Sequence, residues 1–358
     1  MMPFAEANGR YLRWLGGLTA LRRDDLAEKD RRMKSSFFAF FRGTCFRWAQ
    51  LWPVLEPELA RAPQVLAAGD AHVENFGTWR DDEGRLVWGF NDLDEAHVAS
   101  YASDLVRLVA SAIAAREDGA LALKPRRAAE AVLAGYAAGL ADGGAPFVLD
   151  SGAPWLRALA IDRLRDRASF WDEIGRLPRW TGAMPPAARR LLEATLPREA
   201  TGLRWVRRRS GIGSLGRPRL TLLAQWQGGP IAREAKPVLP PSAAWALGRR
   251  LAPAQAALAA RAIRALDPKL VIRSGWIARR LAPDAARLPL ADMPRRRDEG
   301  ALLQAMGREL ANLHLGTPGA SQAIRADLHG RDAGWLRQSA RRITDALHDD
   351  WQAWRRRS

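Results

Sequence analysis

Asp70, His72, Glu74 and Asn75 crowd into six positions of the stretch GDAHVENFG (69–77), and a second acidic run, NDLDEA (91–96), follows shortly after. A single Asp in a loop is an ordinary turn former. Asp70 and Asn75 lie five residues apart after an apolar run, and Asp92 stands at the end of the next one. Together they can aim three oxygen donors at one point. Mg²⁺ takes carboxylate and amide oxygens of this kind and commonly bridges substrate phosphates. The chemistry this suits is phosphoryl transfer, which needs positioning, charge neutralisation and one carboxylate to accept a hydroxyl proton. Asp70, Asn75 and Asp92 are the candidate donors, and Asp94 and Glu95 in the same run are weaker candidate ligands, since either can simply cap a turn or face solvent. Turn formation alone does not explain two acidic clusters joined by a hairpin.

Short strands must hold these loops. Residues 63–68 (PQVLAA) and 86–92 (LVWGFND) read as strands joined through the turn-rich RDDEG. The chain before them, from about 5 to 60, has apolar residues at helical spacing, and Ser35–Ser36 offer an N-cap to its second half. Residues 101–142 are Ala- and Leu-rich helices, and helical material continues to about 197. The pattern then changes to three strands, LRWVRRR, RLTLLAQW and PIAREAK, within 203–236. A helix over 241–266 with a boundary near Pro253, a strand pair around 269–282, and helices from about 298 to the end complete the outline.

The first two of those strands are separated by SGIGSLGRP, in which Gly211, Gly213 and Gly216 flank Ser214. Glycines between two strands let backbone amides approach phosphate oxygens, although a lone Gly-x-Gly-x-x-Gly is also a common turn. The third strand ends in REAK. Lys236 there stands out because lysine is rare in this chain, at positions 29, 34, 124, 236 and 269, while arginine carries nearly all the positive charge. A compact ammonium suits a phosphate partner. Arg233 is the competing candidate; strand alternation puts it on the face opposite Lys236.

The chain has 358 residues and a net charge of +17, enough length for a large core in one or two domains. No apolar run is long enough to cross a bilayer, and the N-terminal segments lack a secretory pattern. One cysteine, Cys45, excludes an internal disulfide and a Cys-based zinc cluster. The expected location is the cytoplasm. The arginines are scattered, with runs only at 207–209 and 355–357, and no nucleic-acid-binding signature accompanies them. Neither a membrane nor a nucleic acid is an expected partner.

GDAHVEN resembles the catalytic loop of aminoglycoside-phosphotransferase-like kinases, a family of protein-kinase-like fold. NDLDEA resembles their metal motif, with Asp92 in the metal position, and Asp104, twelve residues on, opens a helix as theirs does. The resemblance implies that Asp70 is the catalytic base, that Asn75 and Asp92 hold Mg²⁺, and that Asp104 buttresses the loop, with His72 supporting it. GRELANLHLG (307–316) is similar to the helix that runs into that loop in these kinases. Here it follows the loop, as does the glycine-rich segment, so the resemblance implies a circularly permuted order. Over most of its length the chain resembles a bacterial family catalogued as domain of unknown function 2252, through RMKSSFFAFFRGT (32–44), GDAHVENFG, NDLDEA with DLVRLVAS, GIGSLG and REAK. Arg42 in the first block is a candidate phosphate or substrate contact, or a helix-end partner of a nearby acid. His314 reads as a helix-face histidine. Kinases of this type pair their Lys with a Glu from the next helix, and 241–266 holds no acidic residue, so either Glu234 substitutes or the lobe binds nucleotide differently or not at all.

These readings converge on an α+β, protein-kinase-like two-lobe fold. Its expected parts are a helix-rich lobe with the catalytic and metal loops (1–200), a small antiparallel β lobe that binds nucleotide (201–283), and returning helices (284–358). The expected activity is Mg²⁺- and ATP-dependent phosphotransfer to an unidentified small molecule or protein. The alternatives are a nucleotide-binding pseudokinase and a metal-dependent phosphoesterase. The last is disfavoured by a set of five histidines with no Gly-His or His-x-His arrangement.

Overall fold

The computed structural model describes residues 2–150, 154–158, 167–285 and 299–357. The helical stretch expected up to 197 and the segment expected after 283 both run partly outside these residues. Helix and sheet are mixed, as an α+β chain requires. Among the described residues no helix is long and apolar enough to cross a membrane.

The N-terminal helices Phe4–Leu18, Arg23–Ser35, Phe37–Gly43 and Cys45–Leu55 are set by aromatic burial. Ser36 starts the third by accepting a hydrogen bond from the Ala39 amide (2.9 Å). Phe37, Phe40, Phe41 and Phe46 then enter the main core, each ring removing on the order of 150–250 Å² from water. That packing fixes where Arg42, Gly43 and Cys45 stand.

Strand β1 (Gln64–Ala67) pairs antiparallel with β4 (His97–Ser100). Strand β2 (Phe76–Arg80) forms a hairpin with β3 (Leu86–Phe90), and β5 (Phe147–Val148) extends it. This corrects the expected pairing of 63–68 with 86–92. The RDDEG turn closes on FGTWR, whose Phe, Thr and Trp are strand formers next to the turn. The 69–75 loop therefore runs from β1 to β2 and the 91–96 run from β3 to β4, so both cross between the β1–β4 pair and the β2–β3 hairpin.

A five-stranded antiparallel sheet follows, in the order β6-β7-β8-β10-β9: β6 Thr201–Arg207, β7 Leu220–Trp226, β8 Gly229–Pro237, β9 Val271–Arg273 and β10 Trp276–Leu281. On one face Leu220, Leu222, Ala235 and Ala278 form a core of their own with Ala188, Leu191 and Leu192 of the helix Pro186–Ala194. The smaller unit thus begins upstream of 201, because this helix supplies the apolar cover its sheet needs. The expected 241–266 helix is two short ones, Ser242–Ala246 and Gln255–Arg261, with Pro253 between them. Helices Tyr101–Glu117, Pro125–Ala141 and Glu299–His314 fill the main core behind β1–β5.

Candidate active site

The loop after β1 is held from behind. Gly69 has φ +76°, and a Cβ there would run into the Glu95 carbonyl, so the turn toward Asp70 requires glycine. The Asp104 carboxylate, from the first turn of Tyr101–Glu117, accepts from the amides of Ala68 (2.6 Å) and Gly69 (3.0 Å). His314 Nε2 lies 3.1 Å from the same carboxylate and its Nδ1 2.7 Å from the Tyr136 hydroxyl. All three side chains are buried. His314 lies on a helix, as its reading had it, and its face is turned inward, where it bridges Asp104 and Tyr136.

Asp70 is gripped on one side. Arg107 donates to its Oδ1 through Nε (2.7 Å) and Nη2. The guanidinium is fully buried against the rings of Phe41 (4.6 Å) and Trp48 (5.1 Å). Burial raises the Asp70 pKa over the opposing pull of Arg107, and the charges of Glu95 and Asp92 add to the rise. The other oxygen, Oδ2, faces His72 Nε2 at 3.9 Å. His72 Nδ1 accepts from the Glu74 amide (3.2 Å), which places the ring proton on Nε2, toward Asp70. Asn75 is 2 % exposed and donates through Nδ2 to the Asp70 carbonyl (2.9 Å). Its Oδ1 is buried with no hydrogen-bond partner, a costly state that an incoming ligand relieves.

The second acidic run meets the sheet. Lys236 on β8 reaches Asp92 Oδ1 (3.2 Å) and Asp94 Oδ1 (2.7 Å). Register separates the two phosphate-binding candidates: Lys236 is opposite Ile277 and Arg233 opposite Arg280, on alternate faces. Arg233 points to the helix-covered face, where its Nε donates to the Thr195 carbonyl (3.3 Å), so it does not join the site. Glu234 is not a partner of Lys236 either. It is taken by Arg208 (2.9 Å), Arg279 (3.1 Å) and Arg219. Burial alone would raise its pKa, yet the three arginines hold it well below the ordinary range.

The glycine-rich segment closes the space between these groups. Gly211, Gly213 and Ser214 line a cleft together with Asp70, His72, Asn75, Asp92, Asp94 and Arg42. Gly216, at φ +95°, stands outside it and packs on Leu26, while its carbonyl accepts from the Arg22 amide (2.9 Å). The Ser214 hydroxyl is occupied by Arg219 Nη2 (2.8 Å). Arg42 pairs with Glu74 and stacks on Phe38 at 5.2 Å.

Residues 22–153 match the model of a family described as an uncharacterized protein conserved in bacteria, DUF2252. Neither a curated protein nor a solved structure matches the chain. The DUF2252 stretch carries Asp70, Asn75, Asp92 and Asp104 and ends before the glycine segment. It also carries Lys29 and Arg107, which sequence reading passed over. Arg107 had a signal: it is the one charged residue in an otherwise apolar run, LVRLVASAIAA (105–115). Two more cleft residues were missed or weighed lightly. Arg217 donates to Tyr11 Oη (3.1 Å) and Glu95 Oε1 (3.4 Å), and Glu95 Oε2 accepts from the Ser242 amide (2.6 Å).

Proposed function

We propose that the protein is a Mg²⁺- and ATP-dependent phosphotransferase with a protein-kinase-like fold in permuted order. One observation carries the reading: Gly211–Ser214 and the Asp70, Asn75 and Asp92 set, remote in sequence, line one cleft. The glycine loop joins the first two strands of its sheet and the lysine lies on the third, the arrangement kinases use around nucleotide phosphates.

The residues fit a divalent cation. Asn75 Oδ1 is a buried acceptor without a partner, and the Asp92 and Asp94 carboxylates share one lysine between them. Among the described residues no three His, Cys, Asp or Glu side chains are grouped to hold a metal ion. Mg²⁺ is commonly held by few protein oxygens plus phosphate. The bound cation supplies charge neutralisation on the phosphate oxygens. Gly211 and Gly213 would bring backbone amides to the phosphates, and Lys236, now paired with Asp92 and Asp94, would pair with one of them. Asp70, its Oδ1 fixed by Arg107, presents Oδ2 to take the acceptor hydroxyl proton, and burial makes it a stronger base than an exposed carboxylate.

A second reading, nucleotide binding without transfer, is favoured by one observation. Lys236 has no glutamate partner from a following helix, since Glu234 is committed to three arginines. Calorimetric titration with ATP and Mg²⁺, beside a phosphoryl-transfer assay on metabolite pools, separates the two. Asp92→Ala is expected to abolish Mg-ATP binding, and Asp70→Asn to retain binding while stopping transfer. Undiminished transfer in both variants overturns the phosphotransferase.

A further inference from the structure

Lys29, Arg42 and Arg217 line the cleft, and both arginines have an acidic partner: Arg42 pairs with Glu74 and Arg217 with Glu95. Lys29, on the helix Arg23–Ser35, has none among the described residues. It is 8 % exposed, lines the cleft, and makes a single long hydrogen bond, Nζ to the Gly213 carbonyl at 3.4 Å.

This is an expensive way to hold a glycine loop. An ammonium has three donors, and one weak bond to a neutral carbonyl leaves most of its desolvation cost unanswered. Burial lowers the Lys29 pKa to about 7, and the repulsion of Arg217 adds to the fall while Glu95 and Asp70 oppose it. The side chain is packed in place, with its Cε beside Gly43. A chain that turns to arginine almost everywhere keeps a lysine here, a compact ammonium with three rotatable donors. Across the cleft, Asn75 Oδ1 is a buried acceptor without a donor. The cavity therefore has a vacant cationic corner beneath Gly213 and a vacant acceptor near Asp92, the pair of needs that a phosphate with its metal ion meets.

We propose that Lys29 is the counter-ion of a phosphate group that enters the cleft beneath the glycine loop. The group is either the terminal phosphate of the nucleotide or an anionic group carried by the acceptor. The assignment to these two sources rests on the phosphotransferase reading; the anion site itself does not. Lys29 approaches from the N-terminal helices and Lys236 from the sheet, so the two lysines meet the bound phosphates from different elements. Lys29 is a positioning residue in this scheme and exchanges no proton with the substrate.

The test uses Lys29→Met, which keeps the stem and removes the charge, and Lys29→Gln, which also keeps a donor for the Gly213 carbonyl. Titration calorimetry with ADP·Mg²⁺, ATP·Mg²⁺ and, on ADP·Mg²⁺-loaded protein, inorganic phosphate reads the site. Losing a charged hydrogen bond to phosphate corresponds to about a 10- to 100-fold weakening. A loss of that size for ATP with ADP unchanged assigns Lys29 to the terminal phosphate. The same loss for inorganic phosphate, with both nucleotides unchanged, assigns it to the acceptor. Thermal melting of both variants at or above the wild-type temperature is expected, because a buried unpaired charge has been removed. Unchanged affinities throughout, or equal losses for ADP and ATP, overturn the proposal. If the wild type binds neither nucleotide, the phosphotransferase reading falls. Inorganic phosphate and pyrophosphate alone then decide Lys29, and failure of the wild type to bind either of them overturns it too.

Discussion

A guanidinium buried as fully as that of Arg107 must be answered by a negative charge, and Asp70 supplies it. The aromatic faces of Phe41 and Trp48 hold the cation in place, so the carboxylate it grips cannot swing. Arg107→Leu is expected to cost about 3–5 kcal/mol in urea denaturation, since it strands a buried carboxylate. The double variant Asp70→Leu/Arg107→Leu should recover most of that loss, and a simple sum of the two single effects would show the pair to be uncoupled. In Arg107→Leu, burial acts on Asp70 without the opposing cation, so the pH below which transfer fails should move upward. In its proposed role Asp70 must be ionised to accept a proton, and its folded pKa is already raised.

At the scale of the element, helix Glu299–His314 and strand β8 do most of the positioning. The helix holds the end of β3 through Glu309, which accepts from the Phe90 amide (3.0 Å), and holds the Asp70 loop through His314 and Asp104. Strand β8 carries Lys236 to Asp92 and Asp94 and Glu234 into a cage of three arginines. A carboxylate whose folded pKa is depressed adds stability above its unfolded pKa and loses it as pH falls through the folded value. Unfolding of the sheet, followed by the fluorescence of its tryptophans, should therefore become easy only in acid, below the ordinary glutamate range near 4.3. Glu234→Gln should remove that dependence and destabilise by about 3–5 kcal/mol at neutral pH, because three guanidiniums lose their counter-charge. The same elements show what a sequence can disclose. Asp70, Asn75 and Asp92 were legible because their types and spacing are local. Glycine loop and lysine were legible because strand alternation is local too. The pairing of β2 with β3, the bridge from His314 to Asp104, and the grip of Arg107 depend on which elements become neighbours, which no short stretch encodes. Arg233 and Lys236 could be placed on opposite faces from the sequence, but only the packing of Pro186–Ala194 shows which face is covered.

For the whole molecule, the cleft exists because the sheet docks on the helical body, and charge makes much of that joint. Arg207 and Arg209 bind Asp24 and Asp25, Arg217 binds Glu95, Lys236 binds Asp92 and Asp94, and Arg80 binds Asp284 (2.5 Å). Each such pair is neutral, so the net charge of +17 is carried by basic residues beyond them. The core behind β1–β5 is apolar by contrast, and Ile343, Leu347 and Leu310 within it are fully buried. Salt should separate the two kinds of contact. The Debye length falls from about 10 Å at 0.1 M to about 3 Å at 1 M, which screens Arg209 and Asp24, 45 % and 50 % exposed, far more than the buried pairs. Raising the salt should therefore loosen the latch at Asp24 and Asp25 first. Hydrogen–deuterium exchange is the direct measure: protection of the Arg22 amide, which bonds the Gly216 carbonyl, should fall with salt, while that of Leu105–Ala115 holds. Asp24→Asn/Asp25→Asn should reproduce the loss at low salt. Mg-ATP should restore protection at Arg22 in the wild type, because a ligand that bridges the glycine loop and Asp92 stabilises the docked sheet by its binding free energy. Protection that ignores salt, the double variant and nucleotide alike would show that apolar packing alone holds the lobes together.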